Sequence, residues 1–202
     1  LPMIQSLADY GIGSILDYSS EGKESESSFE HTLHEILSVL DHSESDPRIP
    51  FSVFKVTGLA RTDLLIKASR WDILEQHEVA ELERVALRVD TICQRAVEVG
   101  TPVFIDAEET WLQPVIDRMA LQMMRKYNQQ KAWVWNTLQL YRNDRLDYLQ
   151  RLYDLAQQEG FKIGVKLVRG AYMEKEREYA LKLGLSSPIQ RSKEDTDQAF
   201  DH

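Results

Sequence analysis

The stretch FKIGVKLVRGAYMEKER, residues 161–177, decides the reading of the fold. Its first part alternates. Phe161, Ile163, Val165 and Leu167 share one face of an extended chain, and Lys162, Gly164 and Lys166 share the other. Residues 161–168 therefore predict a strand. Arg169, Gly170, Ala171 and Tyr172 form a turn, and residues 172–183 predict a helix. Strand, glycine turn and helix make the repeating unit of a parallel sheet. If the aliphatic face packs on helices, Lys166 points the other way, into the concave side. An ammonium buried there is costly unless it is paired or meets a charged ligand. Asp106 is its natural partner. On the residues alone, a structural ion pair and an active site stay equally open.

The same unit recurs upstream. Short apolar runs at 13–17 (GSILD), 51–57 (FSVFKVT), 102–106 (PVFID) and 133–139 (WVWNTLQ) predict four more strands. Helical spacing fills the gaps, at 29–41, 61–70 and 78–99. In 78–99 the stripe is Val79, Leu82, Val85, Ala86, Val89, Ile92, Cys93 and Ala96, with Gly100 as its stop. Two more helices run from Leu112 to Met123, ending near Asn128, and from Leu146 to Leu155, ending at Gly160. Residues 18–28 are polar and read as a loop, 42–50 carry two prolines and read as a turn, and the polar tail 186–202 starts another element.

These are roughly five βα units. An open doubly wound sheet and an eight-stranded barrel are both compatible with them. A complete barrel takes about 250 residues, so the spacing fits the first part of a (β/α)8 TIM-type barrel, incomplete here, with 1–202 as a partial barrel domain. Such a piece exposes sheet edges and is expected to be unstable or self-associating without its remainder.

Composition narrows the function. The 202 residues include 24 Lys+Arg and 33 Asp+Glu, a net charge of −9. That surface repels phosphate backbones, so nucleic acid is an unfavoured partner. The single cysteine, Cys93, allows no intrachain disulfide and no Cys-rich zinc site. No run of about 18 apolar residues is present for a membrane span. The first residues, LPMIQSLADYG, have neither the basic start nor the apolar core of a signal peptide. They also lack an initiator Met, which fits a processed or excised piece.

Barrel enzymes place their sites at the C-terminal strand ends. Lys55 lies near the end of the second strand, Asp106 closes the third, Gln139 closes the fourth and Lys166 lies near the end of the fifth. Four consecutive strands thus bring a polar group to one rim. Gly170 lets backbone approach a ligand, and the helix after it favours an anion, although a plain βα turn explains the loop as well. Other candidates are weaker. His31 and His34 lack a third ligand at motif spacing, so no metal is expected. Cys93 reads as core, and Trp133 and Trp135 read as packing. Glu108 and Glu109 could act in acid/base chemistry, but loop charges are usually solvated.

The segments SILDYSSEG, FSVFKVTGL, FIDAEET, TLQLY and VKLVRGAYMEKER together resemble the proline dehydrogenase family, from about residue 11 to the end. The resemblance implies a flavin-dependent TIM barrel that oxidises L-proline to pyrroline-5-carboxylate. A hydride equivalent goes to FAD, and electrons go on to a quinone-type acceptor. It implies Asp106 and Lys166 as catalytic residues and Lys55 near the substrate. It further implies Ala107, Gln139, Val168, Arg169, Gly170, Ala171, Tyr172 and Thr196 at the cofactor. Lys166 stands where many members carry arginine, and lysine offers a point charge in place of a planar fork. Paired arginines that clamp the substrate carboxylate in the family fall beyond residue 202, so the chain alone is expected to be inert or nearly so. The implied location is cytoplasmic, with a quinone acceptor requiring peripheral contact at the inner membrane face. Rival readings are a hydroxyproline dehydrogenase, a Schiff-base lyase using a strand lysine, and a non-catalytic scaffold.

Overall fold

The computed structural model describes residues 2–18, 24–44 and 46–202. Five strands form one parallel sheet in the order β1 (Ile15–Asp17), β2 (Phe51–Phe54), β3 (Val103–Ile105), β4 (Val134–Gln139), β5 (Val165–Val168). Between and around them run α1 (Pro2–Ala8), α2 (Glu26–Ser43), α3 (Thr62–Arg70), α4 (Gln76–Val99), α5 (Gln113–Tyr127), α6 (Arg145–Glu159), α7 (Met173–Leu183) and α8 (Lys193–Asp201).

Strand order separates the two closures left open by the sequence. A doubly wound sheet reverses its order midway and so covers both faces. Here every strand lies beside its sequence neighbour and the order never reverses. Right-handed crossovers then put the helices that connect the strands on one face, which is the wall of a TIM-type barrel. The core agrees. Phe54, Val103, Ile105 and Val134 from the outer face pack with Leu40 of α2, Val89 and Ile92 of α4 and Ile116 of α5. Val165 and Leu167 pack outward too, toward helical side chains. The alternation in 161–168 therefore points Lys166 inward.

Local chemistry sets the boundaries. Ser25 caps α2 with a reciprocal capping box, which carries the helix less than one turn into the supposed 18–28 loop, to Glu26. Gly100 at φ 75° ends α4 in the left-handed conformation that glycine adopts freely. The α4 stripe is tilted relative to its prediction. Val79 is exposed, while Glu78, Glu81 and Arg88 are buried and paired with Lys67, Arg61, and Glu26 with Glu30, respectively. Two strands are shorter than predicted. The run 51–57 leaves the ladder after Phe54, because Val56–Gly58 tightens into a 3-10 turn. Residues 161–164 stay outside the strand, with Lys162 bonded to Asn128 through both its N–H and its carbonyl. Asn128 Nδ2 donates to the carbonyls of Val134 and Lys162, and its Oδ1 accepts the N–H groups of Trp133 and Val134.

Gly164 is needed for space. A Cβ there would sit 2.7 Å from Trp135 Cγ. Trp135 in turn closes an aromatic layer on the inner face, edge-on to Phe51 at 5.4 Å and to Phe104 at 5.9 Å, while Phe51 and Phe104 stack at 4.4 Å. This layer is the floor on which the polar rim sits. Cys93 is buried, and burial pushes its thiol well above the ordinary range, so it is core and unreactive. Among the described residues no helix is long and apolar enough to cross a membrane.

Candidate active site

Register aligns the inward-facing residues in rows. Val53 pairs with Phe104, Phe104 with Trp135, and Thr137 with Lys166. Because inward residues recur every second position, the next row up is Lys55, Asp106, Thr137 and Lys166. The row above that is Thr57, Glu108, Gln139 and Val168. The ladder supports this extension, since Asp106 N–H donates to Phe54 O at 2.9 Å and Leu140 N–H to Val168 O at 2.9 Å.

The lower row is an electrostatic unit. Lys166 Nζ forms an ion pair with Asp106 Oδ1, and Thr137 Oγ1 donates to the same oxygen at 3.3 Å. Lys166 also lies 5.1 Å from the centre of the Phe104 ring. Its side chain keeps 29 % of its exposure and that of Asp106 keeps 22 %, so both are half-covered and open to the mouth. A cleft of about 250 Å³ sits over this row. Lys55, Asp106, Ala107, Gln139, Lys166, Val168, Gly170, Ala171 and Tyr172 line it, as does Thr137. Strand parity, which puts position 137 on the face of 139, is the signal that finds Thr137 in the sequence.

Two expected residues lie elsewhere. The Arg169 side chain turns away to α8, with Nη1 3.3 Å from Asp197 Oδ1 and the guanidinium 4.6 Å from the Phe200 ring. Thr196 is buried on α8 and donates its hydroxyl to Ser192 O, one turn back. Neither lines the cleft, because α8 captures both. The turn between them and the cleft is held from below, where the buried Tyr141 hydroxyl accepts the Tyr172 N–H at 3.4 Å. Burial pushes Tyr141 up to about 12.

Glu108 and Glu109 correct the sequence reading, for both are buried. The β3–α5 loop folds under α7, where Glu109 pairs with Lys175 and Glu176 accepts from Thr110 N and Oγ1, each at 2.6 Å. Glu108 accepts Thr57 N–H at 3.1 Å and Thr57 Oγ1–H at 2.5 Å. Burial pushes its carboxyl up to about 7, against the opposing pull of those hydrogen bonds. A second cleft of about 220 Å³ opens beside it, walled by Thr57, Glu108, Glu109, Trp111, Tyr172 and Lys175 among others.

Behind the rim lies a buried hub that composition could not reveal. Asp117 accepts from Gln113 Nε2 at 2.8 Å, Asn136 Nδ2 at 2.9 Å and Arg145 Nη1 at 2.7 Å. His31 and His34 form no site. His31 meets the Tyr18 ring edge-on, and His34 Nδ1 faces Glu30 O. Among the described residues no group of three His, Cys, Asp or Glu side chains is placed to hold a metal ion.

Comparison with known proteins places this geometry. The family model described as proline dehydrogenase matches residues 1–202. The carbapenem antibiotics biosynthesis protein CarD of Pectobacterium carotovorum is 35 % identical over 171 residues, which is 85 % of this chain and 46 % of that protein. Human mitochondrial proline dehydrogenase 1 is 38 % identical over 62 % of this chain and 21 % of its own length. Hydroxyproline dehydrogenase of Xenopus laevis is 34 % identical over 83 % of this chain and 35 % of its own length. The chain thus spans less than half the length of these relatives. Proline utilization A from Bdellovibrio bacteriovorus, in a crystal structure inactivated by N-propargylglycine, shares the fold with a TM-score of 0.82. That match has 18 % identity and covers 99 % of this chain and 22 % of that one. With the sequence model spanning every residue and the barrel wall matching, the chain belongs to the proline dehydrogenase family.

Proposed function

We propose that this chain is part of an FAD-dependent oxidoreductase that converts L-proline to pyrroline-5-carboxylate and passes the electrons to a quinone-type acceptor. The observation that carries the reading is the row of Lys55, Asp106, Thr137 and Lys166 under one cleft, with Gln139 one step above. The donor set fits a flavin ring edge. Two ammonium groups supply positive charge, and Gln139 spends one Nε2 hydrogen on Glu108 O and one Oε1 lone pair on Arg142. It keeps one of each for a ligand. FAD, when bound, supplies the two-electron oxidant.

The chain's own residues do the rest. Lys166 offers a fixed positive charge where negative charge develops, and Asp106 and Thr137 hold it there before the reaction begins. Lys55 lines the same cleft and would face the substrate. Val168, Gly170, Ala171 and Tyr172 line the same cleft and would border the cofactor, as would Ala107. Arg169 and Thr196 would serve only by way of α8. Lys166 lies against a carboxylate, not in the apolar pocket that activates a Schiff-base lysine, which disfavours the lyase reading. The reading keeps a cytoplasmic placement, and a quinone acceptor would require peripheral contact at the inner membrane face.

The test is dye reduction by the FAD-loaded full-length protein. Proline-dependent reduction is the expected result, and a flavin-loaded protein that ignores proline refutes the proposal. A second reading, oxidation of hydroxyproline, is favoured by the similarity to the Xenopus enzyme over 83 % of this chain. A higher kcat/KM for hydroxyproline than for proline would select it.

A further inference from the structure

Glu108 is buried, sits one row above the charged rim, and walls the second cleft and not the first. Its polar groups are nevertheless spent on the rim and on the hub behind it. Its N–H donates to Gln113 Oε1 at 2.8 Å, and its carbonyl accepts from Gln139 Nε2 at 2.8 Å. Its carboxylate takes both donors of Thr57. We propose that Glu108 is a positioning residue, a tether that locks the turn carrying Lys55 and the amide of Gln139 to the strand end that carries Asp106. The tether matters for catalysis only on the reading of this rim as a flavin and proline site.

Three arguments support it. First, Thr57 lies inside the Val56–Gly58 turn, whose preceding residue is Lys55, and Gly58 N–H donates back to Lys55 O at 3.2 Å. Clamping Thr57 at two points therefore fixes the Lys55 backbone. Second, the amides of the network have one orientation each. Asp117 only accepts, so Gln113 must aim Nε2 at it, which leaves Oε1 for the Glu108 N–H. Arg142 only donates, so Gln139 must aim Oε1 at it, which leaves Nε2 for the Glu108 carbonyl. Third, a carboxyl is removed from water here at a cost that burial alone does not recover. An apolar residue would fill the same space, but only a side chain with two polar prongs ties β2 to β3.

The experiment compares FAD-loaded full-length wild type with Glu108→Ala, Glu108→Gln and Thr57→Val. One readout is deuterium exchange in the turn containing Thr57, with α4 as the internal control. The other is kcat and KM for proline. Glutamine can accept the Thr57 N–H and donate to the Thr57 hydroxyl, so it should keep both readouts within about threefold of wild type. Glu108→Ala should speed exchange at the turn by about tenfold or more without moving α4. It should also lower kcat by roughly 10- to 100-fold, more than it raises KM. Thr57→Val, which loses the hydroxyl prong alone, should fall between; if Glu108→Ala does not fold, Thr57→Val decides by the same readouts. The tether is overturned if exchange at the turn stays at the wild-type rate in the variants. Equal loosening of α4, or a Glu108→Gln protein as impaired as Glu108→Ala, overturns it too. A wild type that exchanges as described but does not oxidise proline would sink the proposed function and leave the tether standing.

Discussion

Asp117→Ala removes the acceptor shared by three elements. Asp117 on α5 is 8 % exposed and receives Gln113 from its own helix, Asn136 from β4 and Arg145 from α6. The Arg145 side chain is 7 % exposed, so deleting its partner leaves a guanidinium facing protein. Breaking a buried pair from one side costs about 3–5 kcal/mol. Arg145 keeps Asp144, through Nη2 at 2.8 Å, and stays 4.6 Å over the Tyr148 ring. Those contacts put the loss at the lower end, about 3 kcal/mol. Equilibrium urea unfolding measures it. Converting both members, Asp117→Leu with Arg145→Leu, should cost less than Asp117→Ala alone, because no buried charge is then left unpaired. A loss under about 1 kcal/mol for Asp117→Ala, or a double variant worse than the single one, would refute the hub.

Other perturbations test other links. Gly164→Ala drives a Cβ into the Trp135 ring at 2.7 Å and should destabilise by about 1–3 kcal/mol, read as a lowered urea midpoint. Ser25→Ala removes the α2 cap and should cost about 1 kcal/mol in the same assay. Glu108 predicts a pH dependence. Its carboxyl sits at about 7 when folded against 4.5 as the ordinary value, so the folded state holds the proton more tightly. Stability should therefore fall by roughly 3 kcal/mol as pH rises from about 4.5 to about 7 and then level off. Glu108→Gln should flatten that contribution, and a slope unchanged in the variant would contradict it.

The strands, the helix stripes and the inward direction of Lys166 were legible because each depends on a local period. Lys55, Asp106, Gln139 and Lys166 could be placed at one rim from strand ends alone. What escaped depends on contacts between distant segments. Glu108 and Glu109 look like loop charges until α7 and the β2 turn close over them. Arg169 and Thr196 adjoin the cleft in sequence logic, yet α8 offers Asp197 and Phe200 and takes the arginine away. The strand predicted at 161–168 pairs only from Val165, since Lys162 before it bonds to Asn128 with both its N–H and its carbonyl. Monotonic strand order, which settles barrel wall against doubly wound sheet, has no signature in a single sequence.

We propose the row of Lys55, Asp106, Thr137 and Lys166 as the wall of a flavin and proline site. Anaerobic stopped-flow mixing of the FAD-loaded full-length protein with proline tests it most directly, by following the visible flavin band. Wild type should bleach, and Asp106→Ala and Lys166→Met should stay yellow while bleaching about 100-fold more slowly. Flavin-loaded variants that bleach at the wild-type rate would remove Asp106 and Lys166 from the site.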